Sequence, residues 1–202
     1  MKTRHHALSL AFLGLACLAL AFVAAGFAMP AAAQNKVKSE TLRTPKQNSA
    51  PAEIVRDFSR LPDAVRKKRE EILAAASSGD LAKVAAIVNA DQTTISFGGD
   101  IDASEFWKKT FPDSDGAEVL ATLIEALEMP FVHMDKGNAQ EMFVWPYFHA
   151  MPLDKLTPAQ RVELFRLVTA YDFREMQKFG SYNFFRAGIS PDGRWQFFVA
   201  GD

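Results

Sequence analysis

The stretch that decides the fold is SYNFFRAGI-SPDG-RWQFFVAGD, residues 181–202. Ser190-Pro191-Asp192-Gly193 places proline second and glycine fourth, the pattern of a type I turn. The flanks are aromatic, strand-forming runs, so the segment reads as a β-hairpin. Successive residues of a strand point to opposite faces, so Phe184/Phe185 and Phe197/Phe198 set large apolar groups on both. Such strands are covered on both sides or lie beneath a partner.

Working back from this hairpin, Thr157-Pro158-Ala159-Gln160 combines an N-cap, proline at the first helical position and a closing glutamine. The helix it opens carries Val162, Leu164, Phe165, Leu167 and Val168. A further turn of helix is expected through Met176, stopped by Gly180. Phe131–Met134 and Glu141–Phe148 read as strands around the turn Lys136-Gly137-Asn138. Asp115 with Glu118 and Asp102 with Glu105 have the capping-box spacing. The first opens a helix with Val119, Leu120, Leu123, Ile124 and Leu127 as its stripe, ended by Pro130. The second opens a short helix with Phe106, Trp107 and Phe111.

Thr93–Phe97 alternates like a strand and ends at Gly98-Gly99. Upstream, Pro62 starts a helix running to about Ser77, with Val65, Ile72, Leu73 and Ala76 inward, and Asp80 caps a second helix. The run Arg66–Arg69 on the first helix is followed by Glu70 and Glu71, the spacing of a solvated face with internal ion pairs. The class is therefore α+β: a helical hairpin and further helices on a small, mainly antiparallel sheet, of about four to six strands, that ends in the C-terminal hairpin.

The N-terminus is of another kind. Lys2 and Arg4 precede an apolar run from Ala7 to Ala28, and Ala31-Ala32-Ala33 offers a small-residue cleavage site before Gln34. This is the plan of a secretory signal peptide over 1–33. The run is 22 residues long, enough to span a bilayer at ~20 residues, so a retained inner-membrane anchor is the alternative. Either way the following domain is expected outside the cytoplasm, in the periplasm. Residues 34–52 are polar with two prolines, the composition of a disordered linker. The globular domain is expected over 53–202.

Composition narrows the function. The chain has 23 Lys and Arg against 24 Asp and Glu; removing Lys2 and Arg4 with the leader leaves 21 against 24. No basic excess exists for nucleic acid. The only cysteine, Cys17, lies in the leader, so the mature domain has no disulfide, thiol nucleophile or thiolate metal site. The G-x-S-x-G, H-E-x-x-H, P-loop and G-x-G-x-x-G patterns are absent, and no cofactor is expected. Asp100, Asp102 and Ser104 begin a calcium-loop spacing, but Glu105 stands where glycine is needed and Phe111 where the closing glutamate is needed.

Three candidate sites remain. Trp145, Tyr147, Tyr182 and Trp195 carry rings with polar tips and would form a contact surface for an envelope protein, peptide or glycan. This makes a non-enzymatic binding or accessory module the leading expectation. His149 with a nearby carboxylate would serve a hydrolase. His133, Met134, His149 and Met151 are thioether and imidazole groups suited to Cu(I); the opposing expectation is that methionines fill core gaps and that neighbours on a strand cannot share one ion.

The elements Phe97-Gly98-Gly99, Phe106-Trp107, Trp145-Pro146-Tyr147-Phe148 and Pro191–Asp202 resemble those of small uncharacterised exported proteins of Gram-negative bacteria, over about residues 60–202. A looser resemblance links the FGG, FW and PY elements to the extracytoplasmic domain preceding bacterial SH3-type modules. No such module follows in this sequence, so the resemblance implies export but no cell-wall-binding role and no catalytic residues.

Overall fold

The computed structural model describes residues 53–98 and 102–201. The segments expected to be leader and linker, and Gly99-Asp100, lie outside the described residues. Within them, five strands form one antiparallel sheet in chain order: β1 (Ile54–Val55), β2 (Phe131–Met134), β3 (Met142–Trp145), β4 (Arg186–Ile189) and β5 (Trp195–Val199). Six helices accompany them: α1 (Asp63–Ser77), α2 (Leu81–Asp91), α3 (Ala103–Thr110), α4 (Ala117–Glu128), α5 (Pro158–Leu164) and α6 (Ala170–Phe179). The α+β architecture and its C-terminal hairpin are those the sequence predicts.

The hairpin turn closes as expected: the Gly193 N–H donates to Ser190 O at 2.8 Å and the Ser190 N–H to Arg194 O at 3.0 Å. Gly193 has φ +85°, and a Cβ there would stand 2.9 Å from the Ala64 carbonyl oxygen. Glycine is thus required both by the turn and by the approach of α1. Between β4 and β5 the register pairs Ile189 with Trp195 but Gly188 with Phe197. Gln196 is the extra residue of a β-bulge, which bends the strand at the sheet edge. The Phe197 ring occupies the space over Gly188, where a Cβ would meet it at 2.3 Å.

The sheet is covered on both faces, which explains its two-sided apolar pattern. On the first face α1–α4 enclose a core that includes Ile72, Val84, Trp107, Leu123, Phe131, Trp145, Trp195 and Phe198. Arg69 ties α1 to α4 by donating from Nε to Leu127 O at 2.9 Å, with its guanidinium over the Phe58 ring. On the second face a smaller core holds Met129, Val132, Val144, Tyr147, Phe148, Leu153, Leu156, Leu164, Met176 and Tyr182. It is closed by α5, α6 and two 3-10 turns, Tyr147–Ala150 and Leu153–Lys155.

Local signals hold in detail at several ends. Asp80 accepts from the Ala82 N–H at 3.0 Å and Asp102 from the Glu105 N–H at 2.9 Å. The Thr157–Gln160 capping box is complete, and Thr169 with Asp172 forms a second one before α6.

Four expectations need correction. Thr93–Phe97 makes only one bridge, Thr94 beside Phe197, because α2 delivers the chain to β5 for a single residue. Asp115 does not cap α4; it is left-handed at φ 52°, Gly116 takes the N-cap position, and the Ser114 hydroxyl accepts from the Glu118 N–H at 3.2 Å. The strand predicted to Phe148 stops at Trp145, because Pro146 cannot continue the ladder and a 3-10 turn follows. The α5 stripe is not wholly inward: Leu164 is buried, whereas Val162 is 71% exposed and Phe165 45%. Among the described residues no helix is long and apolar enough to cross a membrane.

Candidate functional site

The two-residue strand β1 pairs only with Val132 and Phe131 of β2, so its ladder ends before His133. Beside this end a cleft of about 100 Å³ opens. Its base touches the buried core residues Val55, Phe131 and Phe143; its charged and polar rim is Glu53, Arg60, His133 and Lys136. These come from three segments: β1 and the 3-10 turn after it, β2 with the β2–β3 turn, and β3.

The β2–β3 turn fixes the imidazole. Asp135 and Gly137 both have positive φ, and the Asn138 N–H donates to Asp135 O at 2.9 Å. This tight turn aims the Gly137 N–H at Glu141 Oε2, 3.0 Å away. Glu141 Oε1 lies 2.6 Å from His133 Nε2. Facing an ionised, acceptor-only carboxylate, Nε2 carries the proton. The imidazole lies flat on Phe143, its partner across the β2–β3 ladder, with ring centroids 4.2 Å apart. The Gly137 N–H, followed by His133, holds the Glu141 carboxyl below its ordinary range. Arg60 does the same for Glu53, to which it donates from Nη1 at 2.7 Å.

Chemically, this arrangement offers two cations, one oriented imidazole and a lining carboxylate. The lining contains no serine, threonine or cysteine. No group of three or more His, Cys, Asp or Glu is placed to hold a metal ion among the described residues.

A second polar cluster lies near the chain's entry. Arg56 donates to both Glu163 oxygens, at 2.7 and 3.1 Å, and lies over the Tyr147 ring. The Tyr147 hydroxyl donates to Glu163 Oε2 at 2.6 Å. Arg56 holds the Glu163 carboxyl low, and burial together with Glu163 pushes the Tyr147 phenol up. A phenol so unwilling to ionise is a fixed donor. The cluster clasps the segment after β1 to α5.

The aromatic contact surface is not realised. Trp145, Tyr147 and Trp195 are fully buried and Tyr182 is 3% exposed. Trp145 packs on Phe131 with centroids 5.2 Å apart, Trp195 on Phe198, and both Tyr147 and Tyr182 on Phe148. These rings serve the two cores because a layer covers each face of the sheet.

The methionine–histidine group is divided by the sheet. His133 faces Phe143 on the first face, while Met134, opposite Met142, packs with Met129 and Met151 on the second core. The thioethers fill that core. His149 lies on the 3-10 turn Tyr147–Ala150 rather than on a strand, and the histidine paired with a carboxylate in the cleft is His133. Of the candidate residues, the cleft therefore contains only His133. Glu53, Arg60, Lys136 and Glu141 were missed. The hairpin around Lys136–Asn138 could have brought His133 and Glu141 to one face; nothing local links either to Glu53 or Arg60. Comparison with known proteins finds no matching family model, curated protein or solved structure.

Proposed function

We propose that the chain is an exported, non-enzymatic binding or accessory module of the periplasm, and that it takes its ligand at the cleft beside β1. The observation that carries this reading is the convergence of Arg60, Lys136, His133 and Glu53 around one cleft. Convergent polar groups are what fix the orientation of a ligand in a small-ligand site. The basic, apolar and small-residue order of residues 2–33 supports export. The partner is accordingly sought in the envelope, as a protein, peptide or glycan.

The test has two parts. The full chain is expressed in a Gram-negative host, fractionated and weighed intact. A soluble periplasmic species beginning at Gln34 is expected; a full-length species in the membrane fraction means a tethered module, and a cytoplasmic one overturns export. The recovered protein is then screened by amide NMR against small charged and neutral fragments. Saturable shifts at Val55, Arg60, Lys136 and Gly137 are expected, and their absence for every fragment removes the cleft as the site.

A further inference from the structure

We propose that Met134, Met142 and Met151 form a modification site for oxygen-transferring oxidants, and that their reversible conversion to sulfoxides releases the α5–α6 layer while the α1–α4 layer stays in place. The thioethers are distributed on one side of the sheet. The chain has seven methionines, of which Met1 and Met29 precede the described residues. The other five belong to the second core: Met129 and Met176 lie within it, and Met134, Met142 and Met151 pack against it. Among the described residues the larger first core holds none. The only cysteine is Cys17, so these thioethers are the sulfur that an oxidant meets in the described domain.

Burial sorts the five. Met129 is fully buried and Met176 is 2% exposed, whereas Met134, Met142 and Met151 are half-buried. The fold gives the reason for this access. Met134 ends β2 and Met142 begins β3, directly opposite each other. Both stand beyond the residues that β1 and β4 pair with, so no outer strand flanks them. Met151 follows the 3-10 turn Tyr147–Ala150 and leads through Pro152 to the buried Leu153, on the connection from β3 to α5.

With hydrogen peroxide the sulfur lone pair attacks one peroxide oxygen. An S–O bond forms, the O–O bond breaks, and the departing hydroxide takes the proton from the new S–OH and leaves as water. Sulfur gives up two electrons and the peroxide accepts them. A thioether fills a core gap, but a sulfoxide is polar. Its oxygen is an acceptor that is costly to bury without a donor. Three such groups at the edge of one core favour the state in which water reaches them. The layer that closes this core is built from helices of seven and ten residues, which do not persist without packing.

The full chain is exposed to hydrogen peroxide and followed by peptide mass spectrometry and amide hydrogen exchange. Met134, Met142 and Met151 are expected to gain oxygen roughly tenfold faster than Met129 and Met176, in line with their exposure. Exchange in α5 and α6 should then rise roughly tenfold or more while α1 and α4 keep their protection. Met129 and Met176 should become reactive only after that rise. Reduction by the two epimer-specific sulfoxide reductases, with a dithiol that is oxidised to its disulfide as water forms, should restore protection. The triple variant Met134→Leu, Met142→Leu, Met151→Leu keeps the volume of each site, and its exchange without peroxide verifies its fold. In it Met129 and Met176 should stay unreactive, and α5 and α6 protected, under the same peroxide. The three single leucine variants carry the same test, each slowing the loss of protection. Equal oxidation rates at all five methionines overturn the proposal. So do sulfoxides that leave α5 and α6 protected, a loss of protection shared by α1 and α4, or protection that stays lost after reduction.

Discussion

On one side of the sheet, Ile72, Trp107, Leu123 and Leu127 come from helices of eight to fifteen residues. On the other, Leu153, Leu156, Leu164 and Met176 come from 3-10 turns and helices of seven and ten. The first layer buries apolar residues from each of four helices, with Arg69 tying α1 to α4. The second joins a smaller core to one polar clasp, Arg56–Glu163–Tyr147, and leaves Val162, Phe165, Tyr171 and Phe179 facing water. Equal coverage of the two faces thus does not mean equal strength. Helical stability in a protein comes mainly from packing of the apolar face, and the larger core lies on the first side.

Five substitutions sharpen or break this contrast, taken from the largest effect. Trp107→Ala removes a ring packed edge-on to Phe198 and should cost about 3–5 kcal/mol, with thermal melting lowered by about 10 °C. A loss below about 1 kcal/mol would mean that the first layer is not the stronger one. Leu164→Ala, also fully buried, should cost about 2–3 kcal/mol. Its distinguishing readout is hydrogen exchange: amides of α5 and α6 should lose protection while those of α1 and α4 keep theirs, as for a unit that opens separately. Uniform loss across all four helices would make the two layers one cooperative unit.

The clasp comes third. Tyr147→Phe deletes the donor to Glu163 and should cost about 1–2 kcal/mol by chemical denaturation. Glu163 also sets a pH dependence. Its carboxyl is held below the ordinary 4.5, by Arg56 before any other group. The clasp's contribution is therefore complete above that pH and is lost as pH falls through the lower folded value. The stability gap between the native chain and Glu163→Gln should narrow on acidification; a gap that widens would reverse the assigned sign. Smallest is Val162→Ser, on the exposed side of α5, expected within about 0.5 kcal/mol of the native chain. A larger loss would show that this side is covered in solution.

What could be read in advance divides along the same line. Helices α1, α2 and α4 carry stripes long enough to fix their inward faces, and turns such as Ser190–Gly193 declare themselves through proline and glycine. On the second side the apolar spacing of Val162, Leu164 and Phe165 suggests a buried face, but a helix ending at Leu164 turns only part of it inward. The aromatics of β3 and β5 were legible as two-sided and still ambiguous, because a strand cannot disclose whether its second cover is the same chain or a partner. The cleft was the least legible. His133 and Glu141 meet through a hairpin register, while Glu53 and Arg60 arrive from more than seventy positions earlier in the chain, by a pairing of β1 with β2 that two residues establish.

The Phe197 ring lying over Gly188 has a consequence for kinship. Positions 188 and 197 share a single volume, so their identities are not independent. A related chain that carries a methyl or larger group at 188 must carry something slimmer than phenylalanine at 197, and one that keeps the aromatic must keep the glycine. This reciprocal exchange is a criterion by which distant relatives can be recognised where overall similarity has faded.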